Sequence, residues 1–568
     1  MRVRILKTIL TVSIAILFII PIALYLSAHS TPAQKDAAHV IEPMITLLDQ
    51  GPQHAAVPVE PAIDIEDCWD IEDNRLESDV PLVAAMRSDT SVLGFDAQNN
   101  TFYCTIGMNT EEFWPELALY AQSAQQDDSL RVAWVDSYDY DYCSDAVREG
   151  YRYELIAYTD TAYAYFGIVF TGLPIITVHV EENAEFSEEY IPARFSVSSA
   201  DHDLILSPGQ VHLRSGGVKK AIDKFSYRLE FHTLDSGIDA KHSVSPLGME
   251  ADTDWILLAN AQDPTAVRNA LCFDMWHRWN AGSPAPNMLE NRMVEVFVQD
   301  EYMGLYQLIQ RIDPKKELTR IGGNPDTDSV VRVIGFSNIG EKPTLNLPEA
   351  APKWVEYRYD GQNQPMRAFS RYMDYARLNL RDFHSLASGS FLSDDEFIAL
   401  AQECVPVEEI LSFFLFTQVC NLSDNVFNNL YVWAVNSGDT VKYYLSPWDM
   451  DWSLNTPLTE DDTIPTSIEL SMYLPCRMLD LDALDSRRIV SQIWQERSEQ
   501  LLTSEEIYNW IIGMEEMINA SGAYLRESEK WYGEAQPLNL ADIAFYTESR
   551  IENIGYALLD MWPVEESF

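Results

Sequence analysis

Asn421-Leu-Ser-Asp424-Asn425-Val-Phe-Asn428-Asn429-Leu-Tyr431, followed by Tyr444-Leu-Ser-Pro447-Trp448-Asp449-Met450-Asp451-Trp452-Ser453, is the stretch that decides how this chain is read. An apolar run over 406–420 with helical periodicity leads into the first acidic block, and the residues between the two blocks predict one β-hairpin. Asp424 and Asn429 stand in a D-x-x-x-x-N spacing. Asp449 and Asp451 share a face if their segment is extended, because side chains alternate along a strand. Two carboxylates so placed suit Mg2+ or Mn2+, hard cations that prefer oxygen ligands. Plainer readings exist for each: an Asx turn or helix cap for Asp424, and one ligand with one structural carboxylate for the Asp449/Asp451 pair. Trp448 and Trp452 read as core or wall residues.

Outward from this stretch the texture is strands first and helices later, which predicts an α+β architecture. Leu173-Pro-Ile-Ile-Thr-Val-His-Val180 has a buried-strand pattern, and further strands are expected at 191–199, 203–206, 226–232, 293–299 and 303–310. Helical periodicity marks 264–280, 394–403, 406–420, 487–501, 504–520 and 540–561. The Gly-, Pro- and Asn-rich segment 320–365 reads as a long insertion or lid. Short alternating runs over residues 61–171 predict a small β-rich N-terminal domain, in which the Asp- and Tyr-rich stretch 136–142 reads as a solvated loop.

Composition narrows the classes. A chain of 568 residues is too long for one core. Its net charge of -49 excludes the basic footprint that nucleic-acid binding needs. Arg2, Arg4 and Lys7 precede an almost uncharged run from Thr8 to Ala28, of roughly the length that spans a bilayer. Residues 1–28 are therefore expected to be a signal anchor or signal peptide, with 29–60 a linker and the rest extracytoplasmic. Seven scattered cysteines show no zinc spacing and are expected to be mostly buried apolar residues. The dispersed His212, His232, His242 and His277 give no support to a histidine-based metal site.

Several blocks in order resemble the CotH kinase family, the spore-coat type of atypical secreted protein kinase. Leu173-Pro-Ile-Ile-Thr-Val is similar to its opening strand, and Leu213-Arg214-Ser-Gly-Gly217 with Lys224-Phe-Ser-Tyr227-Arg228 to its turn and basic strand. Asp254-Trp255 through Asn260, then Asp263 and Val267-Arg268-Asn269, resembles a central block. Val294 through Tyr306 resembles its hairpin, and the two acidic blocks complete the series. In protein kinases a catalytic Asp orients the attacking hydroxyl, an Asn five residues later holds a metal, and a second Asp past a short hairpin binds the metal bridging the phosphates.

The resemblance implies a kinase-like domain over 172–568 that transfers the ATP γ-phosphoryl group to Ser or Thr of a cell-envelope or spore-coat protein. Asp424 would be catalytic. Asn429, Asp449 and Asp451 would hold the metal, with Asn425 and Asn428 competing for the amide role. Arg214, Lys224 and Arg268 would face the nucleotide, with Lys219 and Lys220 as fallbacks. The acidic surface favours a Lys/Arg- and Ser-rich protein substrate. Two departures bear on activity: Arg214 is followed by Ser215-Gly216-Gly217, and Gln310 stands where a Glu is usual. They favour the alternative, a catalytically inactive kinase-like coat or cell-surface protein.

Overall fold

Ile205–Arg214 alternates buried and half-exposed residues, the pattern of a strand with one face inside, and Ile191–Ser198 and Ser226–Asp235 pair on either side of it. In the computed structural model these belong to an eight-stranded sheet. Its order runs 205–214, 191–198, 175–179, 291–298, 301–310, 254–258, 226–235 and 238–241. An additional pairing between 205–214 and 226–235 closes the sheet on itself. Closure creates an interior, filled by Val178, Phe195, Leu229, Trp255, Val296 and Tyr306 among others. The structure describes residues 56–563 except 108–117, 126, 136–142, 182–183, 215–221, 236–237, 335–354, 380–391, 423, 427, 456–463 and 469–471.

The architecture is mixed α+β, with the β-rich part first. The expected N-terminal strands form a nine-stranded sheet. Its first strand is Ala56–Glu60, inside the stretch read as linker; it pairs with Arg131–Trp134 and Tyr120–Ser123. The predicted anchor segment and most of the linker lie outside the described residues, as does 136–142. Among the described residues no helix is long and apolar enough to cross a membrane. The seven cysteines are all buried free thiols, as their scatter suggested.

The third layer is helical. Val407–Val419 is buried almost all round, through Ile410, Leu411 and Phe413 to Val419, so it runs through the centre of the largest core. Arg268–Trp279, Ser486–Gln500, Ser504–Ala520 and Ala541–Met561 fall close to their predicted spans. Pro365–Leu378, Tyr473–Asp480 and Ala523–Tyr532 are helices that the sequence reading left out.

The segment 320–365 corrects an expectation. Its described parts are not a lid: Ser329–Ile334 and Val355–Asp360 pair with each other, and Ser329–Ile334 also pairs with Asn428–Ser437. With Thr440–Pro447 they make a four-stranded antiparallel sheet whose buried face packs into the main core. Glycine and proline content hid two strands whose alternating valines and tyrosines were visible. Residues 335–354, between them, lie outside the described set.

Candidate active site

Helix Val407–Val419 ends at Cys420, and Asn421 turns the chain with φ of 51°. That left-handed conformation is one Asn tolerates better than most residues. A single turn over Asp424–Val426 follows, and Asn429, at φ 52°, enters the strand Asn428–Ser437. The hairpin closes through Gly438 (φ 64°) and returns as Thr440–Pro447 in a register that sets Leu430 opposite Pro447. Trp448 N–H then donates to the Asn429 carbonyl at 3.0 Å. The two acidic blocks are thus side by side because of hairpin register, as the sequence predicted.

Asp424 is held by amides. Asn429 Nδ2 donates to its Oδ2 at 2.9 Å, and Asn428 Nδ2 reaches Oδ2 at 3.0 Å and Oδ1 at 3.3 Å. Asn425 serves the second block instead, donating to the Trp448 carbonyl at 2.7 Å. Asn429, expected at the metal, has its Oδ1 accepting from the Arg332 guanidinium and its Nδ2 donating to Asp424. It orients the carboxylate.

The second block is braced from the helix Arg268–Trp279. Asn269 Oδ1 accepts the Met450 N–H at 2.8 Å, and its Nδ2 donates to Gln307 Oε1 at 2.7 Å. Asp449 itself has φ of 59°. Trp448 is a buried wall, edge-on to Phe273, with Arg214 5.7 Å above its ring.

Burial pushes the Asp451 carboxyl up to about 8, with Asp449, Asp263 and Asp424 adding like-charge repulsion. Burial also raises Asp424; the Asn428 and Asn429 amides oppose this and Asp449 reinforces it. A concentration of buried negative charge is what a cation would relieve. Among the described residues, however, no three His, Cys, Asp or Glu side chains form a ready-made metal cage.

Two residues expected on the nucleotide side are engaged elsewhere. Lys224 is fully buried, with Nζ 2.6 Å from Glu527 Oε1, 2.6 Å from the Leu305 carbonyl and 4.6 Å from the Tyr306 ring centre. No face of that ammonium is left for a phosphate. Arg268 is pinned by Asp263 and by the Asn455 carbonyl at 3.2 Å. Arg214 does reach the site, ending the strand whose following turn, 215–221, lies outside the described residues; Lys219 and Lys220 fall there too. Its charged surroundings are Asp449, Arg332 and Arg358, with Tyr431 beside them. Gln310 is also remote from the acidic blocks in its bonding, since its Nε2 donates to the Glu250 carbonyl at 2.8 Å. The glutamine tied to the site is Gln307. Arg332 and Arg358 lie in the segment 320–365, whose Gly, Pro and Asn content reads as an insertion; the sequence signal for them is an arginine set among alternating apolar and aromatic residues.

The family model of the CotH kinase protein matches residues 212–552, more than half of the chain. The chain belongs to the CotH kinase family. Both acidic blocks, Arg214 and Asn269 fall within that match, which runs on through most of the C-terminal helices. The first barrel strands, 175–179 and 191–198, precede it. No curated protein matches the chain by sequence.

Proposed function

We propose that this CotH family member is an ATP-dependent protein kinase acting on Ser or Thr of a cell-envelope or spore-coat protein. The observation that carries this reading is the amide-held Asp424 carboxylate set within electrostatic reach of Asp449 and Asp451. Among the described residues Asp424 Oδ1 takes one long hydrogen bond, so it is the oxygen better placed to receive a proton. Its raised proton affinity strengthens it as a base.

In the transfer, the acceptor hydroxyl oxygen forms a bond to the γ-phosphorus. The bond from that phosphorus to its bridging oxygen breaks, ADP leaves with the electron pair, and the hydroxyl proton passes to Asp424. Asp449 and Asp451 would hold Mg2+ or Mn2+, with remaining positions filled by water and phosphate oxygens, the usual arrangement for a nucleotide metal. Such an ion neutralises phosphate charge when bound. Asn428, Asn429 and Asn269 keep the carboxylates and their loops oriented. The apolar Thr8–Ala28 run supports delivery of the domain outside the cytoplasm, and the net charge of -49 supports a basic protein acceptor.

The test is transfer of labelled phosphate from ATP by the full-length chain, with Mn2+ or Mg2+ and a basic Ser-rich protein. Asp424→Asn should lower transfer by about 100-fold or more and leave ATP affinity within a few-fold. Wild-type protein that binds no nucleotide with either metal would overturn the kinase reading. The alternative would then stand, a kinase-like coat or cell-surface protein without activity. The enclosure of Lys224, a residue expected to meet phosphate, is the observation that favours it.

A further inference from the structure

In a chain this acidic, three guanidinium groups lie within electrostatic reach of one another: Arg332 and Arg358 both act on Arg214, beside Asp449. Arg332 lies on Ser329–Ile334, its Cα registered opposite Tyr431. It donates to Asn429 Oδ1, while its Nε is buried without a hydrogen-bond partner. Arg358, from Val355–Asp360, is aimed by the Tyr431 phenol, to which Nε and Nη2 donate at 3.1 and 2.8 Å; Nη1 reaches Glu356 at 2.9 Å. Arg214 comes from the barrel and lies over Trp448. Among the described residues neither Arg214 nor Arg332 forms an ion pair. Like charges gathered at a partly enclosed surface are unfavourable unless an anion joins them. A planar guanidinium also matches the oxygens of a phosphate in a way an ammonium does not.

We infer that Arg332 and Arg358, with Arg214, clasp the terminal phosphates of the nucleotide and supply the cationic contact that the enclosed Lys224 does not. The inference rests on the kinase reading. It assigns the four-stranded sheet a role in catalysis: Arg332 meets the transferring phosphoryl group while its bond to Asn429 couples it to Asp424. Donors aimed at the phosphoryl oxygens stabilise the charge that shifts to the leaving ADP as the bridging bond breaks.

Binding of ATP, adenosine and tripolyphosphate to the full-length chain, with Mn2+ present, tests this in wild type, Arg358→Gln and Arg332→Gln. The expected result is a loss of about 10-fold or more in ATP and tripolyphosphate affinity, with adenosine within about 2-fold. Among the described residues the hydrogen bonds of the Arg358 guanidinium go to Tyr431 and the surface Glu356, so that variant keeps the test valid if Arg332→Gln does not fold. Unchanged ATP and tripolyphosphate affinity in Arg358→Gln and in any folded Arg332→Gln would overturn the inference and leave the kinase reading intact. Tripolyphosphate binding that depends on these arginines, in a protein that shows no preference for ATP over tripolyphosphate and no transfer, would keep the anion clasp and remove the kinase.

Discussion

Burial beside Asp449, Asp263 and Asp424 holds a proton on Asp451 up to about pH 8, far above the ordinary carboxylate value of 3.8. Between those two values the folded state binds a proton that the unfolded state has released, so this group makes stability fall as pH rises. Asp451→Asn should remove that slope. Relative to wild type the variant gains stability with rising pH, and the gain levels off above about pH 8; denaturant titrations at pH 5, 7 and 9 (about two units apart) check it. On the kinase reading, in which Asp451 is a metal ligand, the same proton leaves when a divalent ion binds. Calorimetry of Mn2+ binding near pH 7, in buffers of different ionisation enthalpy, should therefore show release of about one proton. A binding heat independent of buffer would mean that Asp451 is not a ligand.

The buried Lys224–Glu527 pair ties three elements together. Lys224 precedes the strand Ser226–Asp235, Glu527 lies on the helix Ala523–Tyr532, and the carboxylate also accepts the Leu305 N–H at 2.7 Å from the strand Glu301–Gln310. Gly304 makes room for it: with φ of 97°, a Cβ there would stand 2.1 Å from Glu527 Oε2. Removing one member of an enclosed pair strands the other charge. Lys224→Met should cost about 3–5 kcal/mol, and adding Glu527→Gln should recover part of that loss. Thermal unfolding of the single and double variants decides this. Nucleotide affinity in the folded fraction should stay unchanged, the opposite of what a phosphate-binding lysine would give.

Over the whole molecule, the N-terminal sheet is docked on the barrel. Tyr103 stacks on Tyr302 at 5.3 Å and meets Phe297 at 5.0 Å, and Thr171 Oγ1 donates to the Ser521 carbonyl at 3.3 Å. The contact runs beside Glu295, which accepts both the Tyr302 hydroxyl and a two-pronged Arg526 guanidinium. The two sheets are thus joined through a buried network. Long-range attraction from a net charge of -49 is screened by salt. The association rate with a Lys/Arg-rich acceptor should fall several-fold between about 0.05 and 0.3 M salt, while transfer to a short neutral Ser peptide should change little. Equal salt dependence for the two acceptors would remove charge as the basis of substrate choice.

Local pattern in the chain was enough for the α+β class, most barrel strands, the helix before Asn421 and the adjacency of Asp424 to Asp449. Each of these rests on short-range rules: alternation, helical periodicity, and a hairpin whose register follows from its tight turn. The Glu527 partner of Lys224, the Asn455 carbonyl on Arg268 and the Glu250 carbonyl on Gln310 were out of reach of such rules, because each lies far along the chain from the residue it holds. The same holds for Arg332 and Arg358. Their strands were recognisable, but only pairing with Asn428–Ser437 carries them to Asn429 and Tyr431. Charge placement of this kind is decided by long-range strand pairing and burial, since a side chain's partner depends on which distant backbone packs beside it.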